Sequence, residues 1–228
     1  MDQENTMGQI KDRILDASLL HVPFDGWSET TLRAAITDSG VTPALARAVF
    51  PRGGVDLAIA YHQRGDVAMR AAYEATDLAA LRIRDRITLA VRLRLQVADK
   101  ELVRRGSALF SLPNHAAEGA TLIWSTTDAI WTTLGDTSRD LNWYTKRATL
   151  SAVYGATVLF WLGDVSDGDT ATWAFLDRRI ENVMQIEKAK AVLRDNALAQ
   201  KVLAGPMALL SRIRAPKDMG DLPGRSGR

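Results

Sequence analysis

Residues 28–50 read SETTLRAAITDSGVTPALARAVF, and this stretch decides the fold. Ser28 stands just before Leu32, Ala35 and Ile36, which recur at the spacing of one helical face. Its hydroxyl can accept from the first amides of that helix, which have no intrahelical partner. Asp38-Ser39-Gly40 closes the helix. Thr42-Pro43 then offers a second cap, with a proline at the first helical position, where a missing N–H leaves nothing unpaired. A short helix to Phe50 and the turn Pro51-Arg52-Gly53-Gly54 follow. Two short helices joined through a glycine have helix–turn–helix proportions.

A working helix–turn–helix puts its second helix in the major groove and needs base-reading and phosphate-contacting side chains. Residues 43–50 hold a single basic residue, Arg47. Across residues 25–60, Arg33, Arg47 and Arg52 face Asp25, Glu29, Asp38 and Asp56. DNA affinity comes largely from neutralising phosphates, and this surface is net negative. The reading favours a helix pair kept for packing, with nucleic acid an unlikely partner.

Outward from this stretch, nearly every segment reads as helix. Ile10, Ile14, Ala17 and Leu20 recur at helical spacing before a break at His21-Val22-Pro23. Two long helices are expected over 55–76 and 78–98, with Asp77 as the cap between them. A shorter one should span 101–111, and Pro113-Asn114 should open a helix running to Leu134 and stopping at Gly135. Thr137-Ser138-Arg139-Asp140 has the capping-box form, which predicts a helix from about 138 to Leu162. A polar turn over 163–169 precedes another helix to about Lys190. The fold class is all-α. The expected organisation is a helix–turn–helix-like region over 1–54, a helical domain over 55–190, a basic amphipathic helix over 191–214 and a disordered tail over 215–228.

The 228 residues hold 46% apolar and 25% charged side chains, the balance of a globular protein. No cysteine is present, which excludes disulfides and thiolate chemistry. The polar, acid-bearing N-terminus has the form of neither a secretory signal nor a transit peptide, and the run from Ala152 to Leu162 is too short to span a bilayer. A cytoplasmic protein is expected, peripheral at most on the inner face of a bacterial membrane. Charge is uneven: net −4 over residues 1–187 and +6 over 188–228. His21, His62 and His115 lie far apart without metal-ligand spacing, and no nucleophile elbow, P-loop or dinucleotide fingerprint appears. The sequence reads as a protein that binds rather than reacts, with no metal and no cofactor.

Three stripes are candidates for function. Trp124 and Trp131, two helical turns apart, share a face with Thr127 and are flanked by Ile123. They form either a core face or the lining of an apolar tunnel, to which helix phase adds Leu109, Tyr154 and Val158. Asp140, Trp143, Tyr144 and Arg147 fall at i, i+3, i+4 and i+7. This is the composition of a protein-docking patch, or of a partly exposed face with a stacked Trp–Arg pair. Over 189–213, Leu193, Val202, Leu203, Met207 and Leu210 alternate with basic residues. That helix either lies in an anionic membrane interface or docks on its own protein, with a bend at Gly205-Pro206. Arg82, Arg84, Arg86, Arg92 and Arg94 spread around their helix, which favours an ion-paired surface over a binding patch.

Several stretches resemble the coenzyme Q biosynthesis protein nine family. They are Ile14-Leu15-Asp16-Ala17, Val22-Pro23-Phe24-Asp25-Gly26-Trp27, Ser111-Leu112-Pro113-Asn114-His115, Thr172 to Ile180 and, above all, Asp140-Leu141-Asn142-Trp143-Tyr144-Thr145-Lys146-Arg147-Ala148. The likeness covers roughly residues 10–190. It implies a TetR-like homodimer whose cavity holds isoprenoid quinone precursors or phospholipid, and which assists the di-iron demethoxyubiquinone hydroxylase in ubiquinone biosynthesis. The family's partner-binding patch maps onto Asp140, Trp143, Tyr144 and Arg147, and its membrane helix onto about 190–213. The second helix here ends Arg47-Ala48-Val49-Phe50, where the general TetR pattern has Tyr-x-x-Phe. The alternative is a ligand-responsive TetR-type transcriptional regulator.

Overall fold

The computed structural model describes the backbone of residues 2–194 and the side chains of residues 6–185. Ten α-helices follow one another: α1 Asp2–Leu19, α2 Val22–Asp25, α3 Glu29–Ser39, α4 Pro43–Val49, α5 Gly54–Glu74, α6 Ile83–Gln96, α7 Lys100–Phe110, α8 Ala116–Thr133, α9 Leu141–Gly163 and α10 Thr170–Arg194. No strand occurs among the described residues, so the all-α expectation holds. The region over 191–214 beyond Arg194 and the tail over 215–228 lie outside them.

The helix–turn–helix forms as its caps dictate. Ser28 accepts from the Thr31 amide and Thr42 from the Leu45 amide. Gly40 takes the left-handed conformation that ends α3, with φ +64°. Leu32, Ala35, Ala46 and Phe50 are all fully buried. Burying a side chain the size of Phe50 stabilises by about 1.5–3 kcal/mol.

Elsewhere the boundaries shift for identifiable reasons. Asp77 does not cap a long helix: its carboxylate accepts from the Ala79 amide, and α6 begins only at Ile83. Pro113-Asn114 belongs to the turn, and α8 starts after His115. Asp140 is itself the cap of α9, accepting from the Asn142 amide, so the capping box read over 137–140 is replaced by an aspartate cap. Leu20 is 73% exposed because α1 ends one residue before it. Asp164 accepts from the Ser166 and Thr172 amides, fixing the reversal between α9 and α10.

The core has two parts. One joins Ile14, Leu15, Leu32, Phe50 and Leu57 with Leu102 of α7. The other joins Met69, Tyr73, Val91, Leu95, Ile130, Leu150, Trp161 and Leu176. Helix α5 gives Leu57 to the first cluster and Met69 to the second.

Candidate functional site

Between the two core clusters lies a cavity of about 390 Å³, within the usual range for small-molecule sites. Helices α5 to α9 all contribute to its lining. Most of it is apolar: Trp27, Leu95, Phe110, Ile123, Val158 and Leu159 among others. Trp27 and Tyr61 stand with ring centroids 5.3 Å apart on its border. The indole N–H of Trp27 is anchored on the Leu102 carbonyl at 3.1 Å, holding the ring in place.

One wall is polar. Arg94, only 4% exposed, donates from Nε to Asp66 at 2.7 Å and from Nη2 to the His62 carbonyl at 3.0 Å. Thr126 donates to the same Asp66 oxygen at 2.8 Å. The Nε2 of His62 lies 2.7 Å from Thr126 Oγ1 and 3.2 Å from the Leu122 carbonyl. A carbonyl can only accept, so Nε2 carries the proton and Nδ1 keeps a lone pair. Burial and then the Arg94 charge push the imidazole down to about 4, leaving it neutral near pH 7. Tyr154 is hydrogen-bonded to Thr126, and burial raises its phenol above the ordinary tyrosine value. Gly65 makes room for this arrangement: a Cβ there would stand 2.6 Å from the Arg94 guanidinium carbon.

Ile123, Tyr154 and Val158 thus line the cavity as helix phase proposed. Trp131 does not. It borders a separate cavity of about 220 Å³ between α6, α8, α9 and α10, and its indole nitrogen is buried without a hydrogen-bond partner. Trp124 also falls outside the lining, turning to α9 to pack 5.9 Å from the Trp143 ring. Thr127 is buried and bonded to the Trp124 carbonyl and Ser151. Leu109 packs against the N-terminal cluster. The cavity occupies the N-terminal half of α8, so the seven-residue tryptophan stripe runs beside it rather than along it. Tyr61, His62 and Arg94 were not singled out as lining residues, although the i, i+4 spacing of His62 and Asp66 was visible.

The stripe at the start of α9 forms an aromatic cluster. Trp143 and Tyr144 meet edge to face at 4.8 Å, and the Arg147 guanidinium lies 4.0 Å from the Trp143 ring centre. Asp140 is exposed. Arg147 is not offered to a partner: it is 2% exposed and bonded to Asp128 at 2.6 Å, Asp136 at 3.1 Å and the Trp143 carbonyl at 3.2 Å. It supports Trp143 from beneath. Burial would raise the Asp136 carboxyl, but hydrogen bonds from Lys146, Ser138 and Arg147 outweigh it and hold it down at about 2.

The other arginines form the expected ion-paired surface only in part. Arg84 pairs with Glu181 at 2.8 Å, Arg86 bonds the Leu78 and Leu81 carbonyls, and Arg92 lies over Trp173. In the helix–turn–helix, Arg47 is bound to Glu29, and Arg52 to Asp56 and Glu118. Leu193, Val202, Leu203, Met207 and Leu210 lie outside the described side chains. Among the described residues no helix is long and apolar enough to cross a membrane, and no three metal-ligating side chains cluster.

Comparison with known proteins matches this layout. The COQ9 family model aligns with residues 116–187, which cover α8, α9 and the Trp143 stripe. "Ubiquinone biosynthesis protein COQ9, mitochondrial" of Drosophila melanogaster is 30% identical over 184 residues, 78% of this chain and 56% of that protein. The Homo sapiens protein of the same name is 30% identical over 212 residues, 88% of this chain and 66% of its own length. That of Rattus norvegicus is 30% identical over 212 residues, covering 88% and 68%. The chain therefore spans less than two thirds of the first two relatives. A TetR transcriptional regulator from Nitrosomonas europaea ATCC 19718 superposes with a TM-score of 0.62 at 19% identity, over 76% of this chain and 97% of that one. The architecture is TetR-like. On identity sustained over most of its length, the chain belongs to the COQ9 family.

Proposed function

We propose that this protein is a non-catalytic, lipid-binding accessory factor of ubiquinone biosynthesis. It holds isoprenoid quinone precursors in the cavity between α5 and α9 and assists the di-iron demethoxyubiquinone hydroxylase. The observation that carries the reading is the cavity itself, about 390 Å³ with a mainly apolar lining, in a chain whose relatives are named for ubiquinone biosynthesis. Trp143 and Tyr144, with exposed Asp140 beside them, form the docking surface for the hydroxylase, and Arg147 keeps Trp143 in position. The protein acts as a homodimer, and the basic segment over 191–214 meets the membrane surface.

A transcriptional regulator on the same fold would need free cations on its reading head. Arg47 and Arg52 are both committed to carboxylates within the protein, which argues against it. Mass spectrometry of an organic extract of the purified protein tests the proposal. Co-purifying isoprenoid quinone or phospholipid is expected. A lipid-free extract, with salt-sensitive binding to operator DNA, would replace the carrier with the regulator.

A further inference from the structure

Trp131 keeps a buried indole N–H with no hydrogen-bond partner among the described residues. Phenylalanine would fill much of the same apolar volume without a donor, so the indole carries a desolvation penalty that a phenyl ring would not. The ring borders the cavity of about 220 Å³ between α6, α8, α9 and α10. That cavity shares no lining residue with the larger one.

The lining narrows the occupant. Ile87, Leu150, Val153, Ile180 and Met184 make it largely apolar. Lys146 is its one charged side chain, and the ammonium is already bonded to Asp136 at 2.6 Å and Ser138 at 2.7 Å. It also lies 5.1 Å from the Trp131 ring centre. An anion would compete with Asp136 for this ammonium and a cation would be repelled by it, so a neutral molecule is favoured. Thr145 donates to the Asn142 carbonyl and Asn142 to Asp140, which leaves the Trp131 N–H as the donor to be matched. The molecule therefore carries an acceptor oxygen or nitrogen. Size sets the rest: an apolar cavity of about 150 Å³ holds benzene, and sites for drug-sized ligands begin at about 300 Å³. A space between the two suits a single substituted ring and is too small for a long isoprenoid chain.

We propose that this cavity is a second ligand site, taking a small, neutral, single-ring molecule whose acceptor atom receives the Trp131 indole N–H.

Acetophenone, ethylbenzene and benzoate are rings of similar size that present a neutral acceptor, no acceptor and an anion. Titrating each into the isotope-labelled full-length protein reads the site directly by nuclear magnetic resonance, because each of the six tryptophans gives its own indole N–H signal. Acetophenone is expected to move the Trp131 signal saturably. It should bind there at least about fivefold more tightly than ethylbenzene or benzoate, the contribution of roughly one hydrogen bond. In Trp131→Phe, followed on the Lys146 and Thr149 amides, acetophenone should fall to the level of ethylbenzene. A Trp131 signal that no probe moves overturns the proposal, whether water holds the donor or the probes gather around His62 and Tyr154 in the larger cavity. Ethylbenzene or benzoate binding as tightly as acetophenone overturns it too, as does a folded Trp131→Phe protein that keeps the preference. If that variant does not fold, the ranking on the wild-type signal decides.

Discussion

Arg94 and Arg147 are both buried, and each is bonded to an aspartate, yet they serve different ends. Arg94 of α6 sits with Asp66 of α5 on the wall of a cavity. Arg147 sits between Asp128 and Asp136 and underlies Trp143, an aromatic side chain at the protein's edge. In one centre the ion pair makes an interior polar; in the other it holds a surface residue still. A buried arginine alone therefore says little about function. What lies on its far side, an enclosed space or a half-buried ring, separates the two roles.

The strongest way to break this comparison is Arg94→Leu. It leaves Asp66 buried without its partner and should cost about 3–5 kcal/mol, read as a fall in denaturant midpoint. Adding Asp66→Asn should recover much of that loss. A single-variant cost below about 1 kcal/mol would mean that the wall is not organised by this pair.

Acid separates the two centres by pH. His62 is held at about 4 when folded, against 6.5 for the free side chain. The unfolded chain therefore takes up a proton first, and stability falls as pH drops from about 6.5 to 4. The size is on the order of 3 kcal/mol, and His62→Gln should flatten this limb. Asp136 is depressed from 3.8 to about 2. Its contribution is full above pH 3.8 and is lost only as pH falls through about 2. Denaturant titrations at a series of pH values should show two limbs; a single limb below pH 4 would contradict the His62 assignment.

The smallest effect belongs to the surface. Trp143→Ala should leave helical content unchanged and weaken hydroxylase binding by about 2 kcal/mol, the scale of an interface hot spot. A folded variant that binds normally would return the stripe to a purely structural role.

The sequence disclosed local structure better than the cavity. Ser28, Gly40, Thr42 and Gly135 act through neighbours a few residues away, so their caps and stops were legible. Asp140 was legible as a member of a capping box but not as the cap itself, because the box puts the cap at Thr137 and starts the helix at about 138. The cavity draws on five helices, and no periodicity within one helix can show which faces converge. Trp124 and Trp131 share a phase, yet one packs on Trp143 and the other borders a separate cavity. The polar wall joins His62 and Asp66 to Arg94 and Thr126 across long stretches of chain. His62 reads as isolated in the sequence because its partners Arg94, Leu122 and Thr126 lie on α6 and α8.

The space beside Gly65 has a last consequence. Glycine inside a helix costs roughly 0.5–1 kcal/mol relative to alanine, and here its missing side chain is where the Arg94 guanidinium rests. Neither position can vary freely. A larger residue at 65 would displace the arginine, and losing the arginine would leave a helix weakened for nothing. Gly65 and Arg94 therefore amount to one heritable trait written at two places in the chain.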